Sequence, residues 1–327
     1  MNKEIPNFDL PLRAVLETDL GAKGIAKCDD EAHWLILRKP YITSTNSATI
    51  MGVNKYESRI GLWAIKTGKM EDEVEQNLAM QIGKLVEPII AQLTMEHYNV
   101  SAFKDTDLHI RGADKIATSL DYVCEKPSEE MIALHPDIKP DSMVILECKN
   151  VGENAYRNLW VDGKPPLYIQ CQVQHQLMCT GYDFAIVCAL VGGNRMEYVF
   201  VKRDEVFMTA LLHEIKEFWK LVDDKIEPEV EQTDNARKVF EVLYPKVEGK
   251  VIDLRFDNQI DHQINEQKIL ASEATTIKKK NDAIKTEIKD KLGDAQIGIT
   301  NEFKISIGNT NRLNITKIKP SDEGLLL

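Results

Sequence analysis

Residues 144–150, VILECKN, pass from an apolar run into an acid and a lysine two positions apart. In a strand, side chains at i and i+2 share one face, so Glu147 and Lys149 point the same way while Cys148 points into the sheet. The acid can hold a metal ion and the ammonium can orient water or phosphate, as phosphodiester hydrolysis requires. The tripeptide alone is not specific, because the acid-x-Lys pattern recurs at Glu214, Glu248, Glu266 and Glu287.

Composition sets wide limits on the class of protein. The 327 residues suffice for one large core with an appendage or for two modest domains, and 43% hydrophobic with 28% charged residues is ordinary for a soluble protein. The net charge of −11 does not indicate nucleic-acid binding, yet a nuclease needs only a local basic groove and its acidic metal site adds negative charge. The six cysteines lack CxxC spacing, so neither a zinc site nor a disulfide framework is indicated.

The sequence also lacks the usual signals for a membrane or an export route. No stretch approaches the roughly 20 apolar residues that span a bilayer. The N-terminal residues 1–20 lack the apolar segment of a signal peptide. We therefore expect no membrane association and a cytoplasmic location.

The order of elements predicts an α/β fold, with a central mixed sheet flanked by helices. Residues 30–100 have helical patterns, and residues 107–150 have strand patterns interrupted by a loop rich in Pro, Glu and Asp. A helix over 168–181 follows. Residues 184–204 predict a hairpin turning at Gly-Gly-Asn, and 205–224 form an amphipathic helix.

The composition changes after about residue 225, which predicts a core domain over residues 1–225 and a C-terminal extension over 226–327. The extension is predicted to contain a linker, a long polar helix over 261–292 and a β-hairpin over 298–320. The lysines of the helix are interpreted as a solvated face. The extension could be an oligomerisation arm, a partner-binding element or a DNA clamp, and its sequence does not choose among these roles.

Two aspartates could complete the site at Glu147. Asp141 stands in a Pro-Asp pair only six residues upstream, where the strand begins. Asp121 lies in a preceding strand pattern, IATSLDYV, and could reach Glu147 across an antiparallel strand pair. We favour Asp121 and interpret Asp141 as a turn residue.

Five segments in order resemble the YqaJ-type viral recombinase family, which contains the lambda-exonuclease-like phage alkaline nucleases of the PD-(D/E)xK superfamily. They are TSTNSATIMGVNKYESRIGLWAIKTG, GKLVEPIIAQLTMEHY, ATSLDYV, ILECKN and QVQHQLMCTG. The resemblance covers about residues 30–220 and implies a restriction-endonuclease-like core. In these terms, residues 1–225 are the nuclease domain.

The resemblance also implies roles for individual residues. Asp121 and Glu147 match the metal-binding carboxylates, with the Cys148 carbonyl as a further ligand, and Lys149 matches the catalytic lysine. Glu87 matches a helix acid that supports the metal, directly or through water.

Other matched residues correspond to positions next to the active site of relatives. Gln172 matches a glutamine on the helix next to the active site. Arg38, Thr45 and the neighbouring Ser44 fall where relatives grip the 5′-terminal phosphate of DNA.

Two departures affect these assignments. Relatives usually have Gly-Gly-Ser-Asp where this chain has residues 43–46, Thr-Ser-Thr-Asn, although a hydroxyl is retained. The family's tyrosine precedes the matching glutamine by three residues, whereas Tyr168 precedes Gln172 by four and Gln170 by two. Contributions of Tyr168 and Gln170 therefore stay open.

The implied function is a Mg²⁺- or Mn²⁺-dependent 5′→3′ exonuclease of phage or prophage recombination. It would act on double-stranded DNA ends, leave 3′ single-stranded tails and work with a single-strand annealing protein. The resemblance alone suggests a ring-like trimer. The alternatives are an endonuclease or nickase on the same fold, and a catalytically inactive DNA-binding or scaffold module.

Overall fold

The computed structural model describes residues 23–72, 77–308 and 311–318. The described residues form two compact units, one ending at Lys246 and one beginning at Val247. Within these ranges, no helix combines the length and apolar character needed to cross a membrane. Residues 1–20, in which no signal peptide is expected, lie outside the described residues.

A mixed five-stranded sheet forms the centre of the first unit. In spatial order its strands are β3 (Ala102–Lys104), β6 (Tyr122–Cys124), β7 (Val144–Val151), β8 (Phe184–Val191) and β9 (Arg195–Lys202). Strands β7 and β8 are parallel, and the other neighbours are antiparallel. The β8–β9 hairpin turns at Gly192 and Gly193, whose positive φ angles suit glycine.

A smaller sheet lies in the same unit. Its order is β1 (Lys23–Ala26), β4 (Leu108–Arg111), β5 (Ile116–Thr118) and β2 (Ile42–Thr43), with only the β2–β5 pair parallel. The strand patterns predicted over residues 107–124 therefore divide between two sheets, with β4 and β5 in this one and β6 in the central one.

Helices cover both faces of the central sheet. The helices of the first unit are α1 (Glu31–Arg38), α2 (Ser44–Ile50), α3 (Arg59–Lys66), α4 (Leu78–Tyr98), α5 (Glu129–Leu134), α6 (Glu153–Leu159), α7 (Leu167–Thr180), α8 (Glu205–Asp223) and α9 (Asp234–Leu243). Ile90 of α4 packs with Leu146 on one face, whereas Val173 of α7 packs with Ile145 on the other. This arrangement confirms the predicted α/β class, with a mixed central sheet between helices.

The second unit has its own helix and sheet. The helix α10 (Ile260–Leu292) is followed by an antiparallel sheet of β10 (Ile297–Ile299), β11 (Phe303–Ile307) and β12 (Leu313–Lys317). The predicted long helix and the β11–β12 hairpin are confirmed. The third strand, β10, was not predicted, because its three residues are too few to show an alternating pattern.

Two segments predicted as irregular contain helices. The loop before β7 includes α5, which begins at the N-cap Ser128 and buries Met131. The predicted linker includes the start of α9, whose Asn235 accepts hydrogen bonds from the backbone N–H and the hydroxyl of Ser58, at 2.9 and 2.6 Å. The first compact unit therefore extends to Lys246, past the boundary expected at residue 225, and the functional division into nuclease domain and extension stays a prediction.

A buried histidine joins three elements of the first unit. The Nε2 of His175, on α7, lies 3.2 Å from the Ala117 carbonyl of β5, and Nδ1 lies 2.6 Å from Ser47 Oγ of α2. Because a carbonyl only accepts, Nε2 carries the proton and Ser47 donates to Nδ1. Burial lowers the pKa of His175 to about 4, so the ring is neutral in the folded protein.

This neutral ring makes stability depend on pH. The lowered folded-state pKa means that the contribution of His175 is complete above the unfolded-state value of about 6.5 and is lost as the pH falls toward 4. The loss amounts to roughly 3 kcal/mol. Urea unfolding at several pH values should therefore show a shallower acid slope for His175→Gln than for the unsubstituted protein.

The matched control is His213→Gln, on the exposed side of α8. It should keep the original slope. Equal slopes for His175→Gln and the unsubstituted protein would contradict the assignment of a neutral buried ring.

Candidate functional site

Glu147 and Lys149 project from the same face of β7. The Glu147 side chain is only 1% exposed, and the Lys149 ammonium, at 25% exposure, donates to Glu147 Oε1. Burial lowers the pKa of Lys149, but the negative charges of Glu147 and Asp121 outweigh burial and raise it overall. Lys149 is therefore a protonated hydrogen-bond donor beside a buried carboxylate.

Asp121 lies next to this pair, immediately before β6. The antiparallel β6–β7 register sets Tyr122 opposite Leu146, and Asp121 Oδ2 accepts a 2.8 Å hydrogen bond from the Cys148 N–H. Burial and then the charge of Glu147 raise the pKa of Asp121 well above its usual range. Asp141, in contrast, is exposed in the turn before β7. Asp121 is thus the aspartate beside Glu147, as its place in the preceding strand pattern predicts.

Cys148 presents only its main chain to the site. Its side chain is 8% exposed and packs on the opposite face of the sheet with Ile90 and Cys188. Burial raises the pKa of its thiol, so Cys148 stays protonated.

Two glutamines of α7 hold the Glu147 carboxylate. Gln172 Nε2 donates to Glu147 Oε1 at 2.7 Å, and Gln176 Nε2 donates to Oε2 at the same distance. Gln174 instead bonds the Lys202 carbonyl and the Asp204 N–H. Gln176 was not among the predicted site residues, although its i+4 spacing from Gln172 placed both side chains on one helix face.

Glu87 approaches from α4 on the other side of the sheet. Its carboxylate accepts a 2.9 Å bond from Lys104 Nζ of the edge strand β3. After burial and Glu147, the charge of Glu87 is a further contribution that raises the pKa of Asp121. Lys104 was not among the predicted site residues either, because no local sequence pattern connects it with Glu87.

The predicted phosphate-binding residues gather at the start of α2. Arg38 Nη2 donates to Thr43 Oγ1 at 3.4 Å, and Thr43 Oγ1 lies 3.1 Å from Thr45 Oγ1. Thr45 is exposed, whereas Ser44 is buried at 5% exposure. Thr43, which was not predicted, links the arginine to the exposed hydroxyl.

Gln170 and Tyr168, whose contributions the sequence leaves open, differ in their surroundings. Gln170 donates to the Pro165 carbonyl at 2.7 Å, which holds the chain before α7. Tyr168 is 37% exposed, and burial followed by the charge of Tyr56 raises its pKa.

The oxygen donors of Asp121 and of β7 suit a hard divalent cation. In the described ranges, no three Asp, Glu, His or Cys side chains are arranged to hold a metal ion. The carboxylates of Asp121 and Glu147 and the Cys148 carbonyl are nonetheless oxygen donors of the kind that Mg²⁺ prefers. The raised pKa of Asp121, caused by burial and then by Glu147, shows negative charge in excess here. A divalent cation would relieve this excess, so the residues fit Mg²⁺ or Mn²⁺.

The excess charge at Asp121 should reduce stability when no metal is present. Asp121→Asn keeps an acceptor for the Cys148 N–H but removes the charge, so it should raise the free energy of unfolding in chelator at pH 8. The gain should shrink as the pH falls through the raised pKa of Asp121, because the protonated carboxyl no longer opposes Glu147. Chemical unfolding with a chelator present measures both effects.

Asp141→Asn is the matched control. This exposed turn residue should change the free energy of unfolding by less than about 0.5 kcal/mol. A destabilised Asp121→Asn variant in chelator would argue against electrostatic excess at the site.

Known proteins resemble this chain over the same region. Residues 33–183 match the profile of the YqaJ-like viral recombinase domain. The chain is 24% identical over 296 residues to the protein YqaJ of Bacillus subtilis (strain 168), covering 88% of this chain and 86% of that protein.

Solved structures show a weaker likeness. An alkaline exonuclease from Laribacter hongkongensis is 18% identical, with a TM-score of 0.45, over 60% of this chain and 94% of that one. A phage-related exonuclease from Haemophilus somnus 129PT is 14% identical, with a TM-score of 0.40, over 57% of this chain and 95% of that one. The sequence profile spans every site residue from Arg38 to Gln176. Residues 33–183 of this chain are therefore similar to the YqaJ-like viral recombinase domain.

Proposed function

We propose that this protein is a metal-dependent deoxyribonuclease that resects duplex DNA ends 5′→3′ and leaves 3′ single-stranded tails. The observation that supports it most is the meeting of two carboxylates, Asp121 and Glu147, with the charged Lys149 on neighbouring strands of the central sheet. The match of residues 33–183 to the YqaJ-like viral recombinase domain supports a role in recombination.

Mg²⁺ or Mn²⁺ would be held by Asp121, Glu147 and the Cys148 carbonyl, with Glu87 in direct contact or through water. When bound, such a cation lowers the pKa of a coordinated water and stabilises phosphate charge. The two glutamine donors fix the rotamer of Glu147, so its carboxylate is oriented before substrate arrives.

Lys149 acts as a donor in this proposal. Its pKa is raised overall, since the charges of Glu147 and Asp121 outweigh the lowering by burial, so the ammonium persists at neutral pH. An ammonium donates hydrogen bonds and accepts none. Lys149 would therefore orient the attacking water or a non-bridging phosphate oxygen.

Single substitutions at the carboxylates and the lysine test the chemistry. Asp121→Asn and Glu147→Gln should abolish digestion of linear duplex, and Lys149→Met should lower kcat by about 100-fold or more. Chelator should stop digestion and added Mg²⁺ or Mn²⁺ should restore it. Release of acid-soluble nucleotides measures all of these.

Lys250→Met is the control, because Lys250 belongs to another acid-x-Lys tripeptide and is exposed. It should digest DNA at the unsubstituted rate. Equal activity of Lys149→Met and Lys250→Met would remove Lys149 from the mechanism.

The Arg38 cluster is proposed to bind the 5′-terminal phosphate. Arg38 supplies the charge and Thr45 an exposed hydroxyl, while Ser44 is buried and would act only through its main chain. Arg38→Gln should therefore raise KM for 5′-phosphorylated duplex and reduce its preference over 5′-hydroxyl duplex. The exposed neighbour variant Lys39→Gln should keep that preference. Initial rates over a range of concentrations of the two substrates measure KM and this preference.

The same assay separates the alternatives. Cutting of closed circular DNA would replace the exonuclease by an endonuclease or nickase. No cutting of any DNA with either metal would favour the scaffold module. The annealing-protein partner and the ring-like trimer stay predictions from the family resemblance.

A further inference from the structure

The helix α10 is long and almost unsupported by its own unit. It spans 33 residues, about 50 Å, and has no buried residue. The sheet β10–β12 covers only its C-terminal end, where Ile288, Lys289 and Leu292 are partly buried. Residues 261–287 are exposed throughout. Because most helical stability in proteins comes from packing of an apolar face, this exposed part should have a partner.

The exposed part has a narrow apolar row that we call the seam. Its members alternate in steps of four and three residues: Leu270, Ala274, Ile277, Asn281 and Ile284. Leu270, Ile277 and Ile284 are 57%, 66% and 55% exposed. A mean step of 3.5 residues is the repeat of a coiled coil, and a single polar residue in such a row sets register at some cost in stability.

Charge along α10 selects the orientation of a partner helix. Residues 260–276 contain three acids and one lysine, a net charge of −2, while residues 277–292 contain six lysines and three acids, a net charge of +3. Two parallel copies would set like charges together. Two antiparallel copies set the acidic half of one against the basic half of the other.

One antiparallel register uses the exposed stretch and leaves the sheet-covered end free. It places Ile260 of one copy opposite Ile284 of the other, Gln263 opposite Asn281, Gln267 opposite Ile277, and Leu270 opposite Ala274. Apolar residues then meet apolar ones at two of these four layers. The polar seam residue meets another amide at the third, and Ile277 meets a glutamine at the fourth.

The same register aligns the flanking charges. Glu266 of one copy lies beside Lys280 of the other, and the two-fold axis repeats this pair. The two Glu273 side chains meet at the centre, where they repel each other. From the seam, the charge division and this register, we infer that α10 pairs antiparallel with α10 of a second copy of the chain. This inference concerns the second unit and does not rest on the proposed nuclease activity.

Sedimentation velocity of the full chain over a wide concentration range tests the pairing. The unsubstituted protein should show an association step that Ile277→Asp weakens more than about tenfold, because the pair would bury a charge. Thr275→Asp introduces the same negative charge on the opposite face of the exposed helix and should leave the association step intact. Circular dichroism checks that each variant remains folded.

Charge exchange tests the antiparallel orientation. Glu266→Lys and Lys280→Glu should each weaken association about fivefold, and the double variant should restore it. Glu273→Gln should strengthen it by relieving the central repulsion. Absence of the step in the unsubstituted protein, or its persistence in Ile277→Asp, would overturn the pairing. Failure of the double variant to restore association would overturn the antiparallel register.

Discussion

The buried carboxylate of Glu147 is the interaction on which the centre of the first unit depends. A charge at 1% exposure is tolerated only when it is paired and hydrogen-bonded, and here Lys149, Gln172 and Gln176 satisfy both of its oxygens. These bonds join β7 to α7, and α7 is joined in turn to α2 and β5 through His175. The position of Glu147 therefore fixes both the helix–sheet packing and the geometry of the site.

The neighbouring carboxylate of Asp121 is less well compensated than that of Glu147. Burial and the charge of Glu147 raise the pKa of Asp121, and the N–H of Cys148 donates one hydrogen bond to it. Active sites commonly keep such an imbalance at some cost in stability, because a ligand or metal relieves it. Protein donors therefore satisfy the charge of Glu147, whereas Asp121 keeps excess negative charge that a metal ion would relieve.

The two units differ in where their apolar side chains lie. The first is built around sheets packed between helices, so most of its apolar side chains are internal. In the second, α10 keeps a repeating apolar row in contact with solvent. A row of this kind, combined with opposite charges at its two ends, specifies a partner of similar length and opposite direction.

The sequence by itself determined the α/β class, the strand containing Glu147 and Lys149, and the long helix α10. These depend on periodicity within short segments, which local side-chain geometry sets. Only the tertiary structure decided that Asp121 rather than Asp141 lies beside Glu147, that Gln176 shares the role of Gln172, and that Lys104 pairs with Glu87. Each of these contacts joins residues from separate elements, so strand register and helix packing fix it. The same reason explains the missed α9, whose Asn235 bonds Ser58 of a distant segment. Strand β10 was missed for a different reason, because its three residues are too few to show an alternating pattern.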